Sequence, residues 1–300
     1  MIYTLTINPS LDYVVEMDKL IVGEMNRSKN TYLLPGGKGI NVSQVLKNLS
    51  IENVAILPVA GFTGEKLLHM LSEKGITYEA VRLKQGDTRI NVKVLGQVET
   101  ELNADGPDMT EDEKNALISK VESLSDDDYL ILSGSVPKKL GEYFYADLMS
   151  YLQEKKVRVI LDTIGENFKN ALAKKPFLVK PNKEELESLF NVKTDTDEAL
   201  LELAKKVQKM GAENVLVSLG KDGAMLLTED GNVFYAEAPK GKVVNTVGAG
   251  DSMVAGFVAE YTKSMNMEKA LKWGIAAGSA SAFSKNLASK EEIDALIGNL

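Results

Sequence analysis

Apolar residues along the chain follow two rhythms. Short, nearly unbroken runs, "IYTLTIN" (2–8), "VAILPVAG" (54–61), "YLILSG" (129–134), "VRVILDT" (157–163), "FLVKPN" (177–182) and "VLVSLG" (215–220), have the β-branched and apolar content of buried strands. Between them lie longer stretches whose apolar positions recur every three or four residues: "GINVSQVLKNLS" (39–50), "GEKLLHMLSEKG" (64–75), "GEYFYADLMSYLQEKK" (141–156), "KEELESLF" (183–190) and "ALLELAKKVQKMGA" (199–212). Strand followed by helix, repeated, predicts an α/β fold with a doubly wound sheet. Because the runs do not alternate in polarity, the sheet is expected to carry helices on both faces. In such a sheet ligands bind at the carboxyl ends of the strands.

Two stretches break the alternation. Segments 12–34 and 88–102 show alternating polarity with no helical stretch inside them. They predict a small antiparallel β-sheet standing off the core as a lid or dimer surface; the other reading is an extra edge of the main sheet. No repeat, low-complexity tract or linker divides the chain, so residues 1–300 are expected to form a single domain with an inserted lid.

The 300 residues carry a net charge of −8 and no cysteine. Disulfides, thiolate metal sites and cysteine nucleophiles are thereby excluded, and the acidic balance argues against a surface that tracks nucleic acid or an anionic membrane, which needs clustered Lys and Arg. The N-terminal stretch lacks a signal pattern and no apolar run is long enough to span a membrane, so a cytoplasmic location is expected. The single histidine, His69, lies at helical spacing among Leu67, Leu68 and Leu71 and is expected to be an ordinary helix residue.

Candidate chemistry gathers in glycine-rich turns. In "NTVGAGDSMVAGF" (245–257), a strand-like run at 242–246 leads through Gly248, Ala249 and Gly250 into a helical pattern with Val254, Phe257, Val258 and Tyr261 on one side. Such a turn lets backbone N–H groups converge on an anion at a helix N-terminus. Asp251 then reads either as an N-cap or as a base taking a proton from an acceptor hydroxyl. The Walker A pattern is absent, and Met253 stands where the dinucleotide fingerprint needs its third glycine. A second cluster, "PGGKGINVSQVLKNL" (35–49), offers Gly36, Gly37 and Gly39 for close approach, Lys38 as a point charge and Asn41 for hydroxyl pairing, or simply makes a sharp turn. Asn182 and Glu185, three apart before a helix, read as a capping box or as ligands of a hydrated Mg²⁺. "SLGKDG" (218–223) reads as a tight turn that can border a nucleotide.

Together, "GGKGINV", "TRINVK", "VKPNKEEL", "VSLGKDG" and "NTVGAGDSMVAGF" resemble, in order and spacing, the motifs of the ribokinase-like (PfkB) carbohydrate kinases over essentially the whole chain. The likeness is nearest to the branch acting on fructose 1-phosphate; branches acting on tagatose 6-phosphate or fructose 6-phosphate share much of the pattern. The resemblance implies a ribokinase-like sheet with a β lid and ATP-dependent phosphorylation of D-fructose 1-phosphate with Mg²⁺. It implies Asp251 as catalytic base and Gly248, Ala249 and Gly250 as an anion hole. It implies Asp12, Gly37 and Asn41 as sugar contacts, and Lys180, Asn182, Ser218, Gly220, Lys221, Gly223 and Gly278 on the nucleotide side. Asn182 and Glu185 would order Mg²⁺ through water. Two anionic ligands entering an acidic protein need positioned cations, and Lys38, Arg89 and Lys93, with Arg27 from the lid, are expected around the 1-phosphate. Expected partners are a sugar phosphate and ATP, with a homodimer possible through the lid. A non-catalytic sugar-phosphate sensor of the same fold would be expected to have lost the acid at 251, which is present.

Overall fold

The computed structural model describes residues 1–298 and 300. Its first half runs β1 (Ile2–Leu5), β2 (Ser10–Glu16), β3 (Asn30–Gly36), α1 (Lys38–Asn48), β4 (Asn53–Ala60), α2 (Gly61–Glu73), β5 (Thr77–Leu83), β6 (Arg89–Leu95), β7 (Thr100–Leu102), α3 (Glu111–Glu122), β8 (Tyr129–Ser133) and α4 (Phe144–Ser150). Then follow β9 (Arg158–Asp162), α5 (Gly165–Leu172), β10 (Leu178–Val179), α6 (Lys183–Phe190), α7 (Asp197–Lys209), β11 (Asn214–Ser218), β12 (Ala224–Leu227), β13 (Val233–Ala236), α8 (Ala249–Ser264), α9 (Met267–Phe283) and α10 (Lys290–Ile297).

The apolar runs form a nine-stranded sheet in the order β13-β12-β11-β10-β9-β8-β1-β4-β5, parallel throughout except where β12 runs against its two neighbours. Residues within each run still alternate between faces. On β8, Tyr129 and Ile131 join the cluster of α1, α8, α9 and α10, whereas Leu130 and Leu132 join that of α3 to α7. Helix α2 packs on the α1 side through Leu67, Leu68 and Leu71. Burial on both faces is why the sequence shows unbroken apolar runs.

Segments 12–34 and 88–102 contribute to a separate four-stranded sheet, β3-β2-β6-β7, in which β2 pairs antiparallel with β3 and parallel with β6. The residue pairs Asp12↔Asn91 and Val14↔Lys93 share the face turned toward the body; Leu33, Tyr13, Val92 and Leu102 are in lateral register on the other face.

Residues 242–246, expected to be strand-like, carry no strand. The N–H groups of Val244 and Asn245 both donate to Ala282 O at the end of α9, at 2.8 and 3.1 Å, so this backbone is tied to a helix end instead of a ladder. The long helical stretch at 141–156 is α-helical only over Phe144–Ser150 and continues as turns.

Candidate active site

The carboxyl ends of β9 and β10 and the N-termini of α1 and α8 meet at one place. Gly248, in the left-handed region at φ 79°, is the N-cap of α8, and no side chain caps the helix. Asp251 is the third residue of that helix, so the N-cap reading of its side chain gives way: its Oδ2 instead accepts a hydrogen bond from Asn41 Nδ2 at 2.8 Å. Ala249 N donates to Thr246 O, whereas the N–H groups of Gly250 and Asp251 have no acceptor among the described residues. Two unpaired amides at the positive end of a 16-residue helix make an anion seat. Lys180 Nζ lies over it, 3.3 Å from where a Cβ on Gly250 would be.

Asp162, at the end of β9 and 2% exposed, bridges two cations: its Oδ2 lies 3.3 Å from Lys38 Nζ and its Oδ1 3.3 Å from Lys180 Nζ. Burial alone would raise this carboxyl, but Lys180 and Lys38 outweigh it and hold Asp162 below the usual range. Asp251, 5% exposed, goes the other way. Burial, reinforced by the charge of Asp162, pushes it up to about 6 against the pull of Lys38, Asn41 and Lys180. Lys38 is lowered by burial and raised further by Asp162, Asp251 and Glu185, with a net upward shift that keeps it charged.

Asn182 and Glu185 do form a capping box: Asn182 Oδ1 accepts from Glu185 N at 2.7 Å and Glu185 Oε2 from Asn182 N at 2.9 Å. That leaves Glu185 Oε1 without a protein partner among the described residues. Asn182 bridges laterally to Ser218 at the end of β11. The turn that follows needs Gly223, at φ 95°, because a Cβ there would fall 2.0 Å from Ala236 O; Gly220 is also left-handed and Lys221 is exposed.

On the second sheet, Asp12 and Lys93 face a cleft of about 630 Å³ whose other wall includes Asn41 and Leu287. Gly37 caps α1, where a Cβ would meet Thr6 Cγ2 at 2.6 Å. Arg89 lies at the base of the same sheet with its guanidinium donating to Asn8 O and Ala104 O. Arg27 sits exposed on the loop between β2 and β3, at the far end of the sheet from Ser10, and is not brought to the site. Gly278 is buried on α9, where a Cβ would lie 3.1 Å from Ala249 O; the structure gives it the position of a close helix contact under the first turn of α8. Asp162, Ser10 and Asn91 were not anticipated. An acid closing the apolar run "VRVILD" was the signal available for Asp162, since a strand's carboxyl end is where ligands bind.

Residues 6–294 match the model of the pfkB family carbohydrate kinases. The chain is 42% identical to the 1-phosphofructokinase of Bacillus subtilis over 99% of this chain and 97% of that one. It is 37% identical to the D-tagatose-1-phosphate kinase of Bacillus licheniformis over 98% and 96%. The crystal structure of phosphofructokinase-2 from Escherichia coli in complex with fructose 6-phosphate superposes with a TM-score of 0.93 at 31% identity, covering 100% of this chain and 98% of that one. The chain belongs to the pfkB family of carbohydrate kinases and is an ATP-dependent sugar kinase.

Proposed function

We propose that the chain transfers the γ-phosphoryl group of ATP to the C6 hydroxyl of D-fructose 1-phosphate, giving D-fructose 1,6-bisphosphate. The observation that carries this reading is the buried Asp251 carboxyl, tuned to about 6, beside two unpaired amides and a lysine at one helix N-terminus. A base with that value is ionised at neutral pH yet retains affinity for a proton. Asp251 takes the hydroxyl proton as the oxygen attacks phosphorus and ADP leaves, and the unpaired amides of Gly250 and Asp251, at the end of the Gly248–Ala249–Gly250 turn, receive the charge on the transferred group.

Asp12, Gly37 and Asn41 contact the sugar. Lys38, Arg89 and Lys93 surround the 1-phosphate, and the second sheet, as the wall of the cleft, shields the bound sugar from water. Lys180, Asn182, Ser218, Gly220, Lys221 and Gly223 border ATP, and Gly278 acts by letting α8 approach α9. The free oxygen of Glu185 and the amide of Asn182 fit a Mg²⁺ that keeps most of its waters, since no group of three or more acidic, His or Cys side chains is gathered into a metal cage among the described residues. When bound, Mg²⁺ offsets phosphate charge. The laterally paired Tyr13, Val92 and Leu102, with Tyr13 37% and Leu102 60% exposed, support a homodimer through the second sheet, Leu33 beside them being packed on the chain's own core.

Initial rates with ATP and a panel of fructose 1-phosphate, tagatose 1-phosphate, tagatose 6-phosphate and fructose 6-phosphate test the reading. The highest kcat/KM is expected for fructose 1-phosphate. A higher value for tagatose 1-phosphate, the reading suggested by the B. licheniformis relative, or for either 6-phosphate would overturn the substrate assignment.

A further inference from the structure

The most heavily constrained carboxylate on the second sheet is Asp12. Its Oδ1 accepts from Ser10 Oγ at 2.8 Å and from Asn91 Nδ2 at 3.1 Å, and Asn91 Nδ2 also reaches Ser10 Oγ at 3.1 Å. Its Oδ2 lies 3.4 Å from Lys93 Nζ. The orientation of the Asn91 amide is not free: its own oxygen accepts from Ala104 N at 3.3 Å, so its NH₂ must face Asp12. Asn91 is 6% exposed and Ser10 1%, so neither hydrogen bond competes with bulk water. The neighbouring strand is cut back for this arrangement. A Cβ on Gly36 would sit 2.4 Å from both Asp12 Oδ1 and Ser10 Oγ.

We propose that Ser10 and Asn91 are positioning residues for the sugar phosphate: they pin one oxygen of the Asp12 carboxylate so that the other is presented to a substrate hydroxyl in a single orientation. The inference rests on the reading of Asp12 as a sugar contact. A polar pair serving only the stability of the sheet would not need a glycine opposite it or an amide fixed from behind by a backbone N–H. Both residues come from different strands at the point where the second sheet leaves the body, so they fix Asp12 relative to both strands whatever the rest of the sheet does. Held this way, the carboxylate loses little rotational freedom when the sugar arrives, which lowers the cost of binding.

The test is steady-state kinetics of Ser10→Ala, Asn91→Ala and Asn91→Asp, each alone and in an Asp12→Ala background, with the sugar phosphate that the wild-type enzyme turns over best. Asn91→Ala is expected to raise the KM for the sugar phosphate about tenfold and Ser10→Ala about threefold, with kcat and the KM for ATP changing less than twofold. Asn91→Asp keeps the shape but sets a second carboxyl against Asp12, and is expected to raise KM more than Asn91→Ala. In the Asp12→Ala background the added effect of either alanine is expected to fall below about twofold, because both act through that carboxylate. The same fold-change with and without Asp12, or wild-type KM in both single variants, would overturn the proposal. Thermal melts accompany the kinetics; if Asn91→Ala does not fold, Ser10→Ala, which removes one oxygen, decides. A wild-type enzyme inactive on every sugar phosphate would fail the proposed function, and this inference with it; an active wild type with unaffected variants would fail this inference alone.

Discussion

Replacing Asp251 by Asn separates a catalytic carboxyl from a structural one, because the two roles predict opposite signs for stability. Lifting the carboxyl from its ordinary value of 3.8 to about 6 disfavours the ionised form in the folded protein by about 3 kcal/mol. The folded state therefore binds more protons than the unfolded one between those values, and stability declines as pH rises through that window. Below pH 4 both states are protonated and the penalty is absent; above pH 6 it is complete. Asparagine resembles the protonated carboxyl and can still accept from Asn41, so Asp251→Asn is expected to match the wild type at pH 4. At pH 8 it should be more stable by up to about 3 kcal/mol, a rise in Tm of a few degrees for a domain of this size. Its kcat should fall about 10²-fold or more with substrate KM retained. The assays are calorimetric melts of the free protein at both pH values and steady-state rates with saturating ATP. A lower Tm at pH 8, as the loss of a helix cap would give, or near-normal turnover, refutes the reasoning.

The remaining predictions concern the neighbours of Asp251 and the outer face of the second sheet. Asp162→Asn removes the second largest cause of the upward shift of Asp251, so the acid limb of the kcat profile moves to lower pH, by less than the whole gap from 3.8 because burial remains; a limb that stays put or moves up contradicts the electrostatic account. Lys38→Ala, Arg89→Ala and Lys93→Ala are each expected to raise the KM for the sugar phosphate about tenfold or more, and unchanged KM in all three removes the phosphate-site assignment. If the proposed dimer forms, Tyr13→Glu with Leu102→Glu places charge beside it and is expected to shift sedimentation equilibrium from dimer to monomer; an unsubstituted chain that is monomeric, or a variant that still dimerises, contradicts the reading.

The layered fold was legible because its parallel strands are buried on both sides and so print as apolar runs. The second sheet was legible for the opposite reason, its alternation marking one face turned to polar surroundings. Where the backbone is held by contacts distant in sequence, local pattern misleads. Val243 and Val244 read as strand, yet a single carbonyl at Ala282 captures the neighbouring amides and leaves those side chains exposed. Asp251 could be placed at a helix start from spacing, but whether it capped the helix depended on Gly248 being left-handed and on Asn41, 210 positions away, donating to it. The role of Asp162 is still less local. Its partners come from 124 residues upstream and from the next strand, and only parallel strand order puts Lys38 and Lys180 on either side of it.

The cations around the site are already paired before any ligand binds, and Lys93 shows what that implies for selectivity. Its ammonium lies 3.4 Å from Asp12 and 3.1 Å from Glu101, and the attraction of these two acids outweighs burial, keeping it charged. A sugar phosphate can draw Lys93 away from Asp12, because a dianionic group replaces one carboxylate contact with a stronger one and frees Asp12 for a hydroxyl. An unphosphorylated ketose offers no such replacement and must compete with the ammonium for the carboxylate. On the proposed placement of Lys93 at the 1-phosphate, Lys93→Met removes the competitor and the phosphate contact at once, so kcat/KM is expected to fall for fructose 1-phosphate and to hold or rise for fructose. One charge-assisted hydrogen bond is worth about 1.5–3 kcal/mol, so the ratio of the two should narrow by roughly tenfold to a hundredfold. Equal losses on both sugars would mean that Lys93 supports the sheet and does not read the phosphate.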